Sequence, residues 1–202
     1  MGRNDKKVRI YSALEVANIC GVVNQTAINW IKHGYLQAFT TPGGQYRVYS
    51  EDLVAFLVSR GMRIPSELQR VQKAINSELT VLVVDDDAEL NQLIADFLLQ
   101  KRPELTIIQA FDGFEAGERM AESNPGKVIL DVDLPGIDGR KLCRRLKSGE
   151  RSSTPYVIAI SGYSDDSVRE QMLSEGADEF LAKPFELSDL LASINAVGEE
   201  VR

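Results

Sequence analysis

Cysteine is almost missing from this sequence. Cys20 and Cys143 are the only two in 202 residues, far apart and outside any CxxC pair. Neither a disulfide framework nor a thiolate metal site is therefore expected, and both read as free thiols in a reducing cytosol. Histidine is scarcer still. His33 stands alone with no companion ligand, so it reads as a helix-end or phosphate contact and not as a metal or catalytic group. No apolar run approaches the roughly 20 residues that cross a bilayer, and the start "MGRNDKKVRI" has no hydrophobic signal region. Asp5 and Lys6 stand where a myristoylation pattern has its Ser or Thr. A cytoplasmic protein without a membrane partner is expected.

What is present is uneven in charge. Residues 1–76 carry 10 Lys and Arg against 5 Asp and Glu, whereas residues 77–202 carry 13 against 25. A basic head on an acidic body suggests a polyanion-binding module joined to one that handles cations.

The acidic half alternates. "LTVLVV", "TIIQA", "VILDV", "YVIAIS" and "EFLAK" are short apolar runs, and between and after them lie five stretches of helical periodicity, such as "ELNQLIADFLLQ". The expected fold class is α/β, a doubly wound five-stranded parallel sheet covered on both faces. Such sheets hold ligands at the carboxyl ends of their strands. Those ends carry Asp85, Asp86 and Asp87 after the first run, Asp131 after the third, Ser161-Gly162 after the fourth and Lys183-Pro184 after the fifth. Carboxylates gathered there would repel one another unless a cation joined them. Oxygen ligands on a shallow rim favour a hard ion such as Mg²⁺. Metal, carboxylate, ammonium and hydroxyl around one oxyanion suit phosphoryl chemistry.

Over roughly residues 79–198 these residues resemble the receiver domain of two-component response regulators, and "DVDLPGIDG" and "KPF" carry much of the likeness. The resemblance implies that Asp131 accepts a phosphoryl group from a sensor histidine kinase, a phosphotransfer protein or a small donor. It implies that Asp85, Asp86, Asp131 and the backbone carbonyl of Asp133 hold Mg²⁺. Lys183 would pair with the phosphoryl group, Ser161 would swing to hydrogen-bond it, and Phe180 would turn inward on activation. Asp133 departs from the many receivers that carry a neutral residue there. Its charge either repels the donor or alters the lifetime of the acyl phosphate. A "DVD" nucleophile loop also fits haloacid-dehalogenase-type phosphatases, but the order of the acidic motifs is reversed. The remaining alternative is a set of solvated loop acids.

In the basic half, Ser12 and Glu15 form a capping box before "LEVANIC", and Gly21 closes that helix. Asn24 is expected to cap "QTAINWIKH", which Gly34 ends. Ala17, Ile19, Val22, Ile28 and Ile31 are the expected inward faces, with Trp30 in the core. "FTTPGGQYRVY" reads as a hairpin around Pro42-Gly43-Gly44, and Ser50 as the cap of a third helix. Over residues 9–60 this arrangement resembles the winged helix-turn-helix of the MerR and excisionase families. The resemblance implies that Gln25, Thr26 and Asn29 read base edges. Lys32, His33, Tyr46 and Arg47, with the leading Lys6, Lys7 and Arg9, would meet the DNA backbone, and Gln45 is a DNA-facing wing residue where the family commonly has a more basic one.

The expected domains are residues 1–62 and 79–202. Between them, residues 63–78 form a linker with Pro65 at a helix start and a narrow stripe of Leu68, Val71 and Ile75. That stripe suits a spacer helix or a dimerising coiled coil. The combined expectation is a phosphorylated regulator of transcription, whose DNA sites are paired half-sites where a homodimer binds them. The alternative is an adaptor whose head binds a protein.

Overall fold

The computed structural model describes residues 9–135, 138–148, 154–163 and 166–199. The chain divides into two compact units, Met1–Ile75 and Asn76–Arg202.

The described part of the first unit opens with a strand that the sequence did not announce, β1 (Ile10–Ser12), followed by α1 (Ala13–Cys20) and α2 (Asn24–Lys32). The hairpin of β2 (Phe39–Thr40) and β3 (Tyr46–Tyr49) comes next, then α3 (Ser50–Ser59). The three strands form an antiparallel sheet in the order β1-β3-β2. The capping box forms as expected. Glu15 N–H donates to Ser12 Oγ at 3.2 Å, while Ser12 N–H donates to Glu15 Oε2 at 2.7 Å. Gly21 ends α1 at φ 68°, a left-handed position that glycine takes without steric cost.

Two expected caps fall one residue late. Val23 and Tyr49 occupy the cap positions of α2 and α3, and neither side chain makes a cap hydrogen bond. Asn24 and Ser50 are already inside their helices. Ser50 Oγ bonds Glu51 instead. The inward face of α2 is also shifted, since Ala27 is fully buried while Ile28 lies outside the core cluster. Trp30 packs at 5.0 Å from the Phe56 ring, so it is a core residue. Leu68 is fully buried, and Val71 and Ile75 of α4 (Gln69–Leu79) pack on the same cluster. The narrow stripe is therefore covered within its own unit.

Among the described residues of the second unit, five strands alternate with five helices: β4 (Thr80–Val84), α5 (Ala88–Lys101), β5 (Thr106–Ala110), α6 (Gly113–Ser123), β6 (Lys127–Asp131), α7 (Gly139–Lys147), β7 (Tyr156–Ser161), α8 (Asp166–Ser174), β8 (Glu179–Ala182) and α9 (Leu187–Glu199). All pairings are parallel, in the order β5-β4-β6-β7-β8. The order reverses beside β4, which makes the carboxyl ends of β4 and β6 the natural crevice.

Side chains alternate between two cores. Leu82, Val84, Val128, Leu130, Val157 and Ala159 face α6, α7 and α8. Val81, Val83, Ile129, Ile158 and Ile160 face α5 and α9. Every residue of β4 and β6 is buried, which explains why these strands read as continuous apolar runs. Gly139 is the last residue of "LPGIDG", and a Cβ there would lie 2.6 Å from the Val132 carbonyl. That contact requires glycine where α7 starts. Gly136 of the same turn lies outside the described residues.

Candidate functional site

The carboxyl ends of β4, β6 and β8 meet. Lys183 Nζ lies 2.7 Å from Asp131 Oδ2 and 2.8 Å from Asp85 Oδ2. Both acids are almost sealed from solvent. Each is held by a second bond, from Asp87 N–H to Asp85 Oδ1 at 2.9 Å and from Asp133 N–H to Asp131 Oδ1 at 3.0 Å. Burial pushes the Asp85 carboxyl above the usual range, and the Lys183 hydrogen bond only partly offsets it. Burial alone would pull Lys183 down, but the hydrogen bonds and charges of Asp131 and Asp85 outweigh it and leave the ammonium raised. The ammonium is therefore kept charged between two carboxylates.

Asp86 is exposed and completes a group with Asp85 and Asp131 whose oxygens lie within 4.8 Å of one another. Three acids face a single ammonium, an excess of acidic oxygens that a bound cation would balance. All-oxygen donors fit a hard ion such as Mg²⁺. Asp87, read in the sequence as part of this acidic set, has another task. Its carboxylate caps α5 by accepting from Glu89 N–H and Leu90 N–H.

The fourth strand end brings Ser161 and Gly162 beside the same loop. Ser161 Oγ donates to Asp133 Oδ2 at 3.0 Å, and Gly162 N–H reaches the same oxygen at 3.3 Å. Phe180 on β8 is already turned into the core, 5% exposed, whereas the resemblance implies that it turns inward on activation. Sequence reasoning missed Asn91, a fully buried amide on α5. It donates to the carbonyls of Asp85 and Ala110 and accepts from Gln109, tying the ends of β4 and β5 together. A polar residue among Leu90, Leu93 and Ile94 was the available signal.

In the first unit, Gln25, Asn29 and Lys32 are exposed on α2 and His33 is exposed at its C-cap, whereas Thr26 is half-buried and less presented than expected. Gln25 Nε2 donates to Asn29 Oδ1 at 3.0 Å, and His33 Nδ1 lies 2.7 Å from the Asn29 carbonyl. In the hairpin, Gln45 is exposed while Tyr46 and Arg47 are half-buried. Gln45 Oε1 accepts from Arg47 Nη2 at 2.7 Å. Arg9 pairs with Glu67 at 3.2 Å and covers the Tyr11 ring. Lys6 and Lys7 lie outside the described residues.

Fold and site together define a flavodoxin-like α/β domain with a carboxylate–lysine cluster at its topological switch point, preceded by a small helix-turn-helix domain. The chain belongs to the response regulator receiver domain family, which it matches over residues 81–195. Residues 10–61 match a helix-turn-helix domain. Among similar proteins, the transcriptional regulatory protein GltR of Pseudomonas aeruginosa is 35% identical over 118 residues, covering 58% of this chain and 48% of GltR. ResD of Bacillus subtilis, also a transcriptional regulatory protein, is 31% identical over 121 residues, covering 60% of this chain and 48% of ResD. The chain thus spans about half the length of these relatives. Among solved structures, the signal receiver domain of a DNA binding response regulator protein (merR) from Colwellia psychrerythraea 34H superposes with a TM-score of 0.57 at 29% identity. It covers 59% of this chain and 98% of that one. Among the described residues, no helix is long and apolar enough to cross a membrane.

Proposed function

We propose that this chain is a cytoplasmic two-component response regulator, phosphorylated on Asp131 and binding DNA through its first unit to control transcription. The observation that carries the reading is the Lys183 ammonium set between Asp131 and Asp85. In the transfer, an Asp131 carboxylate oxygen attacks phosphorus as the bond from phosphorus to the donor breaks. A phosphohistidine donor of a sensor kinase or phosphotransfer protein keeps the bonding electrons on its imidazole nitrogen, which takes up a proton. Lys183 is placed to stabilise charge on the transferred group. Asp85, Asp86, Asp131 and the Asp133 carbonyl would hold Mg²⁺, which when bound neutralises phosphoryl oxygens. Hydrolysis of the acyl phosphate returns the chain to rest, and no outside substrate is turned over. Ser161 and Phe180 act as the switch.

A groove of about 410 Å³ lined by Leu90, Leu93, Lys183, Pro184, Phe185 and Leu187 opens beside the ammonium. It offers an apolar seat for the protein that delivers the phosphoryl group. The head is read as MerR-like. Gln25, Thr26 and Asn29 meet base edges, while Lys32, His33, Gln45, Tyr46 and Arg47 meet the backbone, two copies sharing paired half-sites.

The test combines a small phosphodonor and Mg²⁺ with intact mass. The wild type gains one phosphoryl group, and Asp131→Asn gains none. Equal gain by both defeats the mechanism. One observation favours a second reading, the head as a protein-binding adaptor: Arg47, the hairpin arginine, is already engaged by Gln45. Salt-dependent binding of the full chain to mixed genomic fragments separates the two. Binding that weakens steeply with salt supports DNA, and none at low salt supports the adaptor.

A further inference from the structure

Asp133 stands two residues past Asp131, and its side chain turns toward the end of β7. Its Oδ2 accepts from both Ser161 Oγ and Gly162 N–H, at 3.0 and 3.3 Å. A further bond fixes the direction of the hydroxyl. Tyr163 N–H donates to Ser161 Oγ at 3.1 Å, which uses a lone pair and leaves the hydroxyl proton for Asp133. The backbone N–H of Asp133 meanwhile donates to Asp131 Oδ1 at 3.0 Å. One residue therefore touches the phosphoacceptor with its backbone and the switch hydroxyl with its carboxylate.

A hydroxyl and an amide N–H converging on one anionic oxygen are the donor pair that a phosphoryl oxygen needs. Ser161 is fully buried, and here its proton already has a charged acceptor. The pair beside Asp131 is thus filled at rest, by an anion that the chain itself supplies. Taking Asp131 as the phosphoacceptor, we propose that the Asp133 carboxylate is an internal stand-in for a phosphoryl oxygen. It is held by Ser161 and Gly162 in the resting chain and is displaced when Asp131 is phosphorylated. Asp133 makes and breaks no covalent bond. It is a positioning residue acting through Ser161.

Two consequences follow from this exchange of one anion for another. An arriving phosphoryl group must evict a carboxylate before it gains the two donors, so acceptance is slowed. The switch donors also change less on phosphorylation than they would from an empty state, so the resting chain already stands partway to the signalling arrangement. A carboxylate acting only as a distant repulsive charge would slow acceptance too, but its effect would not depend on the Ser161 hydroxyl.

The experiment is a double-mutant cycle on the full chain, with acetyl phosphate and Mg²⁺ and acceptance followed by intact mass. Asp133→Asn keeps the shape and removes the charge, and is expected to accept phosphate about tenfold faster than the wild type. In a Ser161→Ala background the same substitution is expected to gain less than about twofold, because the hydroxyl that it frees is gone. Equal gain in both backgrounds, or no gain from Asp133→Asn, overturns the proposal while leaving Asp131 as the acceptor. A wild type that takes up no phosphoryl group overturns both. A second measurement needs neither donor nor metal. The Gly162 amide proton is expected to move upfield in Asp133→Ala, and an unmoved resonance overturns the proposal.

Discussion

Lys183 reaches Asp85 across 98 positions of the chain, its Nζ 2.8 Å from a carboxylate that is sealed from solvent. Neither group is tolerable there alone. Removing one partner of a buried pair strands the other, a loss that exceeds what the pair itself contributes. Lys183→Met is therefore expected to lower stability by about 3 kcal/mol in chelator-treated protein, as read from urea unfolding. Mg²⁺ is expected to restore more stability to the variant than to the wild type. An unchanged midpoint without metal would count against the charge balance described for the site.

Gly139 lets the start of α7 approach Val132 more closely than any side chain allows. A Cβ would lie 2.6 Å from its carbonyl oxygen and 2.7 Å from its Cα, both backbone atoms that cannot swing aside. Gly139→Ala is expected to cost about 2 kcal/mol, seen as a lower denaturant midpoint. A mild cost would mean that the loop after Asp131 yields easily.

Lys127 is a buried ammonium whose Nζ donates to the Glu78 carbonyl at 2.7 Å. Burial pulls it below the ordinary lysine value, more strongly than the Glu78 charge raises it. The unfolded chain therefore binds more protons between the lowered folded value and 10.5, and stability from this residue rises with pH across that window. The stability difference between wild type and Lys127→Met is expected to move in favour of the wild type as pH climbs toward 10.5. A difference that stays flat with pH contradicts the assigned shift.

Thiol labelling reports on both units. Cys20 is half-buried, whereas Cys143 is fully buried, and burial pushes the Cys143 thiol up to about 11. In native protein at neutral pH, Cys20 is expected to react first and Cys143 only as its unit unfolds. Equal rates would place Cys143 outside the core.

Tyr11 is 1% exposed, and its hydroxyl has no hydrogen-bond partner among the described residues. Removing an unpaired buried donor costs nothing and spares its desolvation. Tyr11→Phe is expected to be neutral or stabilising by up to about 1 kcal/mol, measured by thermal melting. A clear loss would reveal a partner for that hydroxyl.

The acidic half was readable because a parallel sheet turns sequence into geometry. Once five apolar runs alternate with helices, the residue after each run must lie on one rim, which brought Asp85, Asp131 and Lys183 together. The head was less readable. β1 is three residues long and is recognised only through its pairing with β3. Asn24 and Ser50 are good capping residues, but the backbone entered each helix one step earlier, at Val23 and Tyr49. Side-chain choices inside the rim were illegible for a similar reason. Composition cannot say that Asp87 caps a helix, or that Asp133 bonds Ser161.

The covered sheet divides the work of its residues. Substitutions in the two packed layers change how long the domain survives. The carboxylate–lysine cluster instead rests on a few positions at the strand ends of one rim. Sequence drift in the bulk of the fold should therefore leave that cluster in place, while a single exchange at the rim could undo it.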